Sequence, residues 1–474
     1  MSDIKKYFSR RDFLGNMCSL TALGLIYATG GCEKLPDEIK NRPVRRDLAG
    51  LSAGDPVVQA YKDAVAAMKA LPLADPRNWV RQAQIYLNHS PRGNWYFLPW
   101  HRAYLAYFEK ICRQLSGYSR FALPYWNWTA NPRIPSVFQG DGSNALFNTT
   151  RIATPSEFAD PAFTSPASIN NVLSQTSFQV FGGGAVNEQR APDTVGLLES
   201  TAQNGIQSFA GGDMATLMAP LDPLFWPHQA MIDRCWTEWN LNRRRDNPSD
   251  SKWVNFTFSD FADEHGNAAG ITVQETVLLP ILAYTWDDFQ PGQSGPGLSS
   301  AERRALETFV RKGAPAQWNF SRRFELQKQV VMEIGGSPNR DIRIDPAPIK
   351  MAIESGRNRL LLKVDEVELS HPADFFLRVF VNEPAASTFT PIEDPHYAGS
   401  FAMFFDEREG FIRRENPSFL VDITDTLRHL NQSGVLADSR AGIQLVAAPF
   451  PHRALRPQKL TIGRLELGVL PAEP

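Results

Sequence analysis

The chain has 474 residues, of which 43% are apolar and 21% are charged, so it is an ordinary globular protein with room for two domains. Its formal net charge of -2 argues against a nucleic-acid partner, which favours a strongly basic surface. Four cysteines are too few for a disulfide scaffold. After residue 40, no run of apolar residues is long enough to span a membrane.

The N-terminus carries a targeting pattern over residues 1–32. Arg10 and Arg11 stand within the segment SRRDFL, and the apolar run 17–28 follows them. This twin-arginine pattern predicts export of the folded protein to the periplasm or cell envelope. Small residues precede Cys32, so we expect either a lipid anchor on Cys32 at the membrane surface or no anchor at all. The polar residues 33–55 then form a tether.

The next part of the chain, residues 56–289, is predicted to be a helical core domain. Apolar residues at helical spacing predict helices from Pro56, over Trp79–Asn88, from near Trp100 to Leu115, over Leu197–Gln207 and over Pro227–Asn242. Residues 129–195 are rich in Pro, Gly, Ser, Asn and Thr, and they predict long loops with little regular structure.

The character of the sequence changes towards the C-terminus. The Gly- and Pro-rich segment 290–297 and the capping spacing of Ser299 and Glu302 predict a linker with a short helix over 290–339. An antiparallel β-sandwich is expected over 340–474, because short β-prone runs alternate there with turn residues. These runs are Leu360–Val364, Phe375–Val381, Phe419–Ile423, Ile443–Ala447 and Leu460–Leu467.

Two stretches carry a resemblance to a known family. The first is NWYFLPWHRAYL over 94–105, followed by FALPYWNW over 121–128, and the second is LDPLFWPHQAMIDRCW over 221–236. Both closely resemble the tyrosinase, catechol oxidase and polyphenol oxidase family of type 3 copper proteins. Further matches extend the resemblance over most of the chain after residue 56. The resemblance implies a mainly α core, built as a four-helix bundle with long loops, and an appended C-terminal antiparallel β-sandwich.

In that family, two copper ions are each held by three histidines, and the pair oxidises phenols or catechols with dioxygen. The resemblance places one histidine of this chain, His101, at a ligand position. The other five ligand positions hold Tyr86, Arg92, Gln203, Gln207 and Gln229. An amide is a poor copper ligand, and a guanidinium opposes a divalent cation. We therefore predict a divergent member with no metal site and no cofactor.

The same positions predict a polar pocket for a small phenolic or anionic ligand, with Arg92 as the cation. The predicted lining is Tyr86, Arg92, His101, Gln203, Asn204, Gln207 and Gln229. If the pocket catalyses a reaction, Glu199 or His101 would be the general base, Tyr86 the acid and Arg92 an electrostatic clamp.

Three other interpretations stay open. The glutamines and Tyr86 could form a satisfied hydrogen-bond network that only stabilises the fold. The protein could be a phenol or catechol oxidoreductase with an altered metal site, or a non-catalytic scaffold that binds a partner.

Cys112 and Cys235 are expected to be free and buried, with a disulfide as the alternative. The histidines outside the motifs are expected at the surface or in structural roles: His265, His371, His396, His429 and His452.

Overall fold

The structure is a computed structural model of the whole chain. The residues it describes are 41–186, 194–289, 302, 320–336, 342–354, 358–370, 374–403, 417–436, 441–450 and 458–470. The predicted signal, Cys32, the segment 290–297, His371 and His452 lie outside these ranges. Among the described helices we find none with the length and apolarity of a membrane span.

The N-terminal part of the described chain is helical, as predicted, and two further helices lie within the C-terminal part. The α-helices of the described residues are α1 (Pro56–Ala70), α2 (Trp79–His89), α3 (Phe97–Ser116), α4 (Pro161–Thr164), α5 (Pro166–Ser174), α6 (Phe178–Gly182), α7 (Asn204–Ala210), α8 (Phe225–Thr237), α9 (Ser251–Val254), α10 (Val273–Val277), α11 (Leu279–Leu282), α12 (Pro346–Glu354) and α13 (Thr424–Gln432). A π-helical turn at Glu199–Gln203 leads into α7, and another at Glu238–Asn242 continues α8.

Local sequence explains where several of these helices begin and end. Helix α1 starts at Pro56, where a missing backbone N–H costs nothing, and the Asp55 side chain caps the amide of Val57. Asn78 caps α2 in the same way. Helix α3 ends at Gly117, whose φ of 70° is a left-handed conformation that favours glycine.

The C-terminal part forms the predicted antiparallel β-sandwich. The strands of the described residues are β1 (Val44–Arg45), β2 (Thr257–Ala262), β3 (Ala268–Thr272), β4 (Thr285–Trp286), β5 (Arg322–Glu333), β6 (Ile342–Ile344), β7 (Arg359–Leu369), β8 (Phe375–Val381), β9 (Tyr397–Met403), β10 (Phe419–Asp422), β11 (Ala441–Pro449) and β12 (Lys459–Leu470). One sheet has the order β10-β7-β12-β5 and the other β6-β11-β8-β9. Their inner faces enclose an apolar core that is separate from that of the helices.

Two expectations from the sequence need correction. Strand β5 pairs with β12, so the sandwich begins inside the segment predicted as a linker. This strand is at the sheet edge and mostly exposed, and its charged residues hide the alternation that marks a strand. The segment 129–195 also contains three short helices, two of which start at a proline behind a capping Asp160 or Ser165.

A buried ionic network holds the central helices α3 and α8 together. Arg45 comes from the N-terminal strand β1, and its guanidinium lies 2.7 Å from Glu109 on α3 and 2.7 Å from Asp233 on α8. Arg102 on α3 pairs with the same Asp233, which also accepts a hydrogen bond from Tyr284. The network fixes the spacing of the two helices between which the candidate site lies.

The sandwich packs directly against the helical core. The Asn204 side chain donates a hydrogen bond of 2.9 Å to the Ala402 carbonyl on β9. The ring of Phe163 contacts Phe376 and Phe450 of the sandwich. Strand β9 therefore lies against the helix that carries part of the candidate site.

Candidate functional site

The predicted site residues come together at the centre of the helical domain, where four segments meet. Helix α2 and the loop after it supply Tyr86 and Arg92, and α3 supplies His101. The π-helical turn supplies Glu199 and Gln203, and α7 supplies Gln207. Helix α8 supplies His228 and Gln229. We call these eight residues the central cluster. Almost all of them are buried.

Tyr86 and Arg92 form one side of the central cluster. Tyr86 is on the buried face of α2, and its ring centroid lies 4.9 Å from that of Phe225 and 5.6 Å from that of His101. The Arg92 guanidinium donates a hydrogen bond to the Tyr86 hydroxyl. Burial raises the pKa of Tyr86, while Arg92 and Gln207 lower it, and the net effect is a raised pKa. The phenol therefore keeps its proton at neutral pH.

His101 is neutral in this environment. Its Nδ1 lies 2.7 Å from the Phe97 carbonyl one helical turn earlier, and this contact places the ring proton on Nδ1. Burial lowers the pKa of His101 to about 3, with smaller contributions from Arg92 and His228 in the same direction. Its Nε2 has no hydrogen-bond partner among the described residues. This nitrogen can accept a hydrogen bond or bind a metal.

Glu199 holds the loop that carries Arg92. Its two carboxylate oxygens accept the Gly93 amide at 3.0 and 2.8 Å. Gly93 has a φ of 70°, a left-handed conformation that glycine adopts without a steric penalty, and this turn aims its amide at the carboxylate. Glu199 also acts on the pKa of Tyr86, so the central cluster contains a positive and a negative group close together.

The three glutamines are the most informative members of the central cluster. Gln203 and Gln207 are four residues apart and share a helical face. They and Gln229 are no more than 1% exposed. None of their amide nitrogens and oxygens has a hydrogen-bond partner among the described residues, although Gln207 lies beside the Tyr86 hydroxyl. A buried polar group left in this state costs about 1–3 kcal/mol, so these amides are costly to bury where they stand.

Sequence reasoning missed the place of His228 and part of the role of Asn204. His228, directly before Gln229 in the sequence, was not among the predicted pocket residues. Its ring is fully buried, lies beside the Gln203 backbone and acts on the pKa of His101, and burial lowers its own pKa to about 3. The Asn204 amide, predicted to line the pocket, donates to Ala402 of the sandwich. It joins the two domains.

Comparisons with known proteins agree with this architecture. A family model described as the common central domain of tyrosinase matches residues 61–194 and 148–242, which include every residue of the central cluster. The central helical domain therefore belongs to the tyrosinase family. The chain is 26% identical to the tyrosinase HcTyr1 of Hahella sp. (strain CCB-MM4) over 87% of its own length and 97% of that protein.

The matches to plant relatives cover a smaller share of those proteins. Polyphenol oxidase A1 of Vicia faba is 28% identical over 52% of this chain, and the match spans 48% of that protein, about half of it. A recombinantly expressed latent aurone synthase has a TM-score of 0.67 at 23% identity, with 92% of this chain and 90% of the other covered. Latent apple tyrosinase has a TM-score of 0.66 at 20% identity, covering 91% and 97%. These structures share the fold, sandwich included.

The expectation of no cofactor is contradicted by these comparisons. The relatives and structural neighbours are type 3 dicopper proteins, so the family points to copper. His101 suits such a metal, since its Nε2 is an imidazole nitrogen without a partner among the described residues. The other five family positions hold a phenol, a guanidinium and three amides. This donor set does not fit a copper pair with three imidazoles on each ion.

The two buried cysteines play no part in the site. Cys112 and Cys235 are free thiols, as expected, and burial raises the pKa of both. Thiols of raised pKa are inert at neutral pH because the reactive form is the thiolate.

Proposed function

We propose that this tyrosinase-family protein binds a small neutral phenolic molecule in the central cluster. The observation that carries the proposal is the set of buried amide groups on Gln203, Gln207 and Gln229, whose one polar contact among the described residues is that of Gln207 with the Tyr86 hydroxyl. Binding a ligand that supplies those partners would remove a desolvation cost of about 1–3 kcal/mol for each group.

The charges of the central cluster favour a neutral ligand. Arg92 is positive and Glu199 is negative, and both act on the same Tyr86 hydroxyl. His101 and His228 are neutral because burial lowers the pKa of each to about 3. An anion would therefore meet no net positive charge in the central cluster. The sequence alone did not distinguish an anionic ligand from a phenolic one.

The chemistry of the lining fits a phenol in particular. A phenolic hydroxyl both donates and accepts, as do the amides, and the lone pair of His101 Nε2 can accept its proton in a hydrogen bond. The rings of Phe225 and Trp100 pack against Tyr86 and provide apolar walls. A few convergent polar groups between apolar walls are typical of small-molecule sites.

In this proposal, the predicted catalytic residues have binding and positioning roles. His101, with a pKa of about 3, is a weak base at neutral pH. Glu199 is occupied with the Gly93 amide, and Tyr86 accepts from Arg92 while its raised pKa makes it a weak acid. In this arrangement, Arg92 orients the Tyr86 hydroxyl, and Glu199 keeps the Arg92 loop in place.

Isothermal titration with catechol, benzoate and toluene tests the proposal. We expect saturable binding of catechol at one site per chain, and at least tenfold weaker binding of benzoate and toluene. Gln207→Leu should abolish the catechol signal, whereas Gln59→Leu, at an exposed position of α1, should leave it unchanged. Equal binding to the wild type and Gln207→Leu, or tighter binding of benzoate, would refute the proposed ligand.

A second candidate is copper-dependent oxidation of phenols, which the names of the relatives favour. Tyrosinase and polyphenol oxidase relatives match this chain, and His101 is an available imidazole. The test is copper analysis of protein purified with added copper, together with oxygen uptake on catechol. Two copper ions per chain and catalytic oxygen uptake that is lost in His101→Phe would establish this candidate, and binding without oxygen uptake would support the first.

Export through the twin-arginine route and a lipid anchor at Cys32 also stay predictions. Replacing both Arg10 and Arg11 by lysine should retain the protein in the cytoplasm, because the signal depends on the arginine pair. Cys32→Ser should release it from the membrane fraction if the anchor exists. Fractionation with immunoblotting measures both outcomes.

A further inference from the structure

We infer that Glu383, Asp394 and His396 form a binding site for a divalent metal ion of the zinc type. The three lie in the β-sandwich, outside the central cluster. One potential ligand atom from each lies within 4.8 Å of the other two. The sequence shows no metal-ligand spacing here, because ten residues lie between Glu383 and Asp394 and the fold alone brings them together.

The fold holds these side chains at the base of the loop between β8 and β9. The Val381 amide donates to the His396 carbonyl at 2.8 Å, which closes the loop, and the Gln444 side chain accepts the Glu383 amide at 2.8 Å. Gln444 is buried in the neighbouring strand β11. Glu383 and His396 therefore sit on ordered backbone at the two ends of the loop.

The tautomer of His396 is suited to metal binding. Its Nδ1 lies 2.7 Å from the Val381 carbonyl. A metal-binding histidine commonly donates its other ring N–H to a backbone carbonyl, and this bond fixes the ring and increases the basicity of the ligating nitrogen. Here the contact leaves the lone pair on Nε2 for an ion.

The two carboxylates converge without a compensating cation in the part of the chain that the structure describes. Neither Glu383 nor Asp394 takes part in an ion pair with a described residue, and both are partly buried. One oxygen of each accepts a backbone amide, from Ala385 and His396 respectively. The second oxygen of each carboxylate can bind an ion, and a divalent cation would offset the repulsion between the two groups.

One imidazole and two carboxylates are a ligand set that zinc accepts, with water as the fourth ligand. Zinc holds such atoms at about 2.0–2.2 Å, so neighbouring ligand atoms stand about 3.5 Å apart in a tetrahedral site. From a separation of at most 4.8 Å, the side chains need to move by roughly 1 Å.

Such an ion would tie together the two ends of the β8–β9 loop. Strand β9, which begins directly after His396, is also the strand whose Ala402 carbonyl binds Asn204 of the helical core. An ion that binds the folded state alone also raises stability by mass action.

Equilibrium dialysis of EDTA-treated full-length protein against Zn²⁺ tests this site. We expect one Zn²⁺ per chain from the loop site, and at least tenfold weaker binding in His396→Ala and in the isosteric Glu383→Gln. His429→Ala, at an exposed histidine of the same domain, should bind as the wild type does. His101→Phe separates any zinc held in the central cluster from zinc held at the loop.

Cobalt provides a second readout that does not depend on stability. Co²⁺ should give intense visible absorption bands of a tetrahedral site in the wild type and in His101→Phe, and lose them in His396→Ala. The inference is overturned if the protein binds no metal saturably, or if His396→Ala and Glu383→Gln both retain wild-type affinity and spectrum.

Discussion

Replacing Gln207 by leucine should stabilise the ligand-free protein while removing its ability to bind a phenol. Gln207 is fully buried, and neither atom of its amide has a hydrogen-bond partner among the described residues. Folding therefore removes the amide from water and gives it only the contact beside the Tyr86 hydroxyl in exchange. Leucine has a similar size and presents no polar atom to be desolvated.

The magnitude follows from the cost of an unsatisfied buried group. Such a group costs about 1–3 kcal/mol, so removing the amide should raise the free energy of unfolding by a similar amount. The contact that Gln207 makes beside the Tyr86 hydroxyl is lost as well, and we therefore expect a net gain of about 1–2 kcal/mol. A gain in stability at the expense of binding is typical of residues kept for function.

Urea unfolding followed by tryptophan fluorescence measures this change. Most of the chain's 11 tryptophans lie in the helical core, so the signal reports on the domain that holds the central cluster. Gln59→Leu, at the surface of α1, should change the free energy by less than about 0.5 kcal/mol. If Gln207→Leu lowers stability by about 2 kcal/mol or more, the glutamines form a satisfied structural network and the reasoning fails.

Two further predictions concern buried charges and protonation. Arg45→Met should lower the free energy of unfolding by about 3–5 kcal/mol, because it removes a buried cationic partner from both Glu109 and Asp233. Arg46→Met, at a more exposed ion pair, should cost under about 1 kcal/mol, and equal effects in urea unfolding would contradict the assignment of the network. Burial lowers the pKa of His228 to about 3, whereas a histidine in the unfolded chain has a pKa of about 6.5. Between these two pH values the unfolded chain binds more protons than the folded one, so the free energy of unfolding falls as the pH falls. Between pH 7 and pH 5, His228→Phe should reduce the loss of unfolding free energy by about 2 kcal/mol. The exposed control His429→Ala should change this loss little. An unchanged pH profile for His228→Phe would rule out a neutral buried imidazole.

Much of the fold was predictable because long sequence patterns determine it. The apolar periodicity of α1 and α3 and the β-prone runs of the sandwich each reflect burial of one face. Strand β5 was missed, since an exposed edge strand has little apolar alternation to detect. The short helices α4 and α5 were missed because their prolines and capping residues resemble loop signals.

The central cluster was predictable to the extent that the family motifs place each residue. The motifs put Tyr86, Gln207 and Gln229 on helices that face one another, and the structure brings them together. They carried no information on side-chain partners, so the balance of Arg92 by Glu199 was not foreseen. The expectation of no cofactor failed for a related reason: it rested on ligand identity alone, whereas the relatives point to copper.

The metal-ligand group in the sandwich illustrates the limit of sequence reasoning. Glu383 and His396 are brought together by the pairing of β8 with β9, which sequence spacing does not encode. A histidine without a nearby ligand in sequence is therefore judged as structural until the strand register is known.

Side-chain amide resonances of ¹⁵N-glutamine-labelled protein test the central claim most directly. Variants at Gln203, Gln207 and Gln229 assign the three pairs of signals, and catechol is then titrated into the wild-type protein. We predict that all three pairs shift and saturate together at one catechol per chain, while the signals of the exposed Gln59 do not move. Binding of catechol without a shift at these three glutamines would contradict the account.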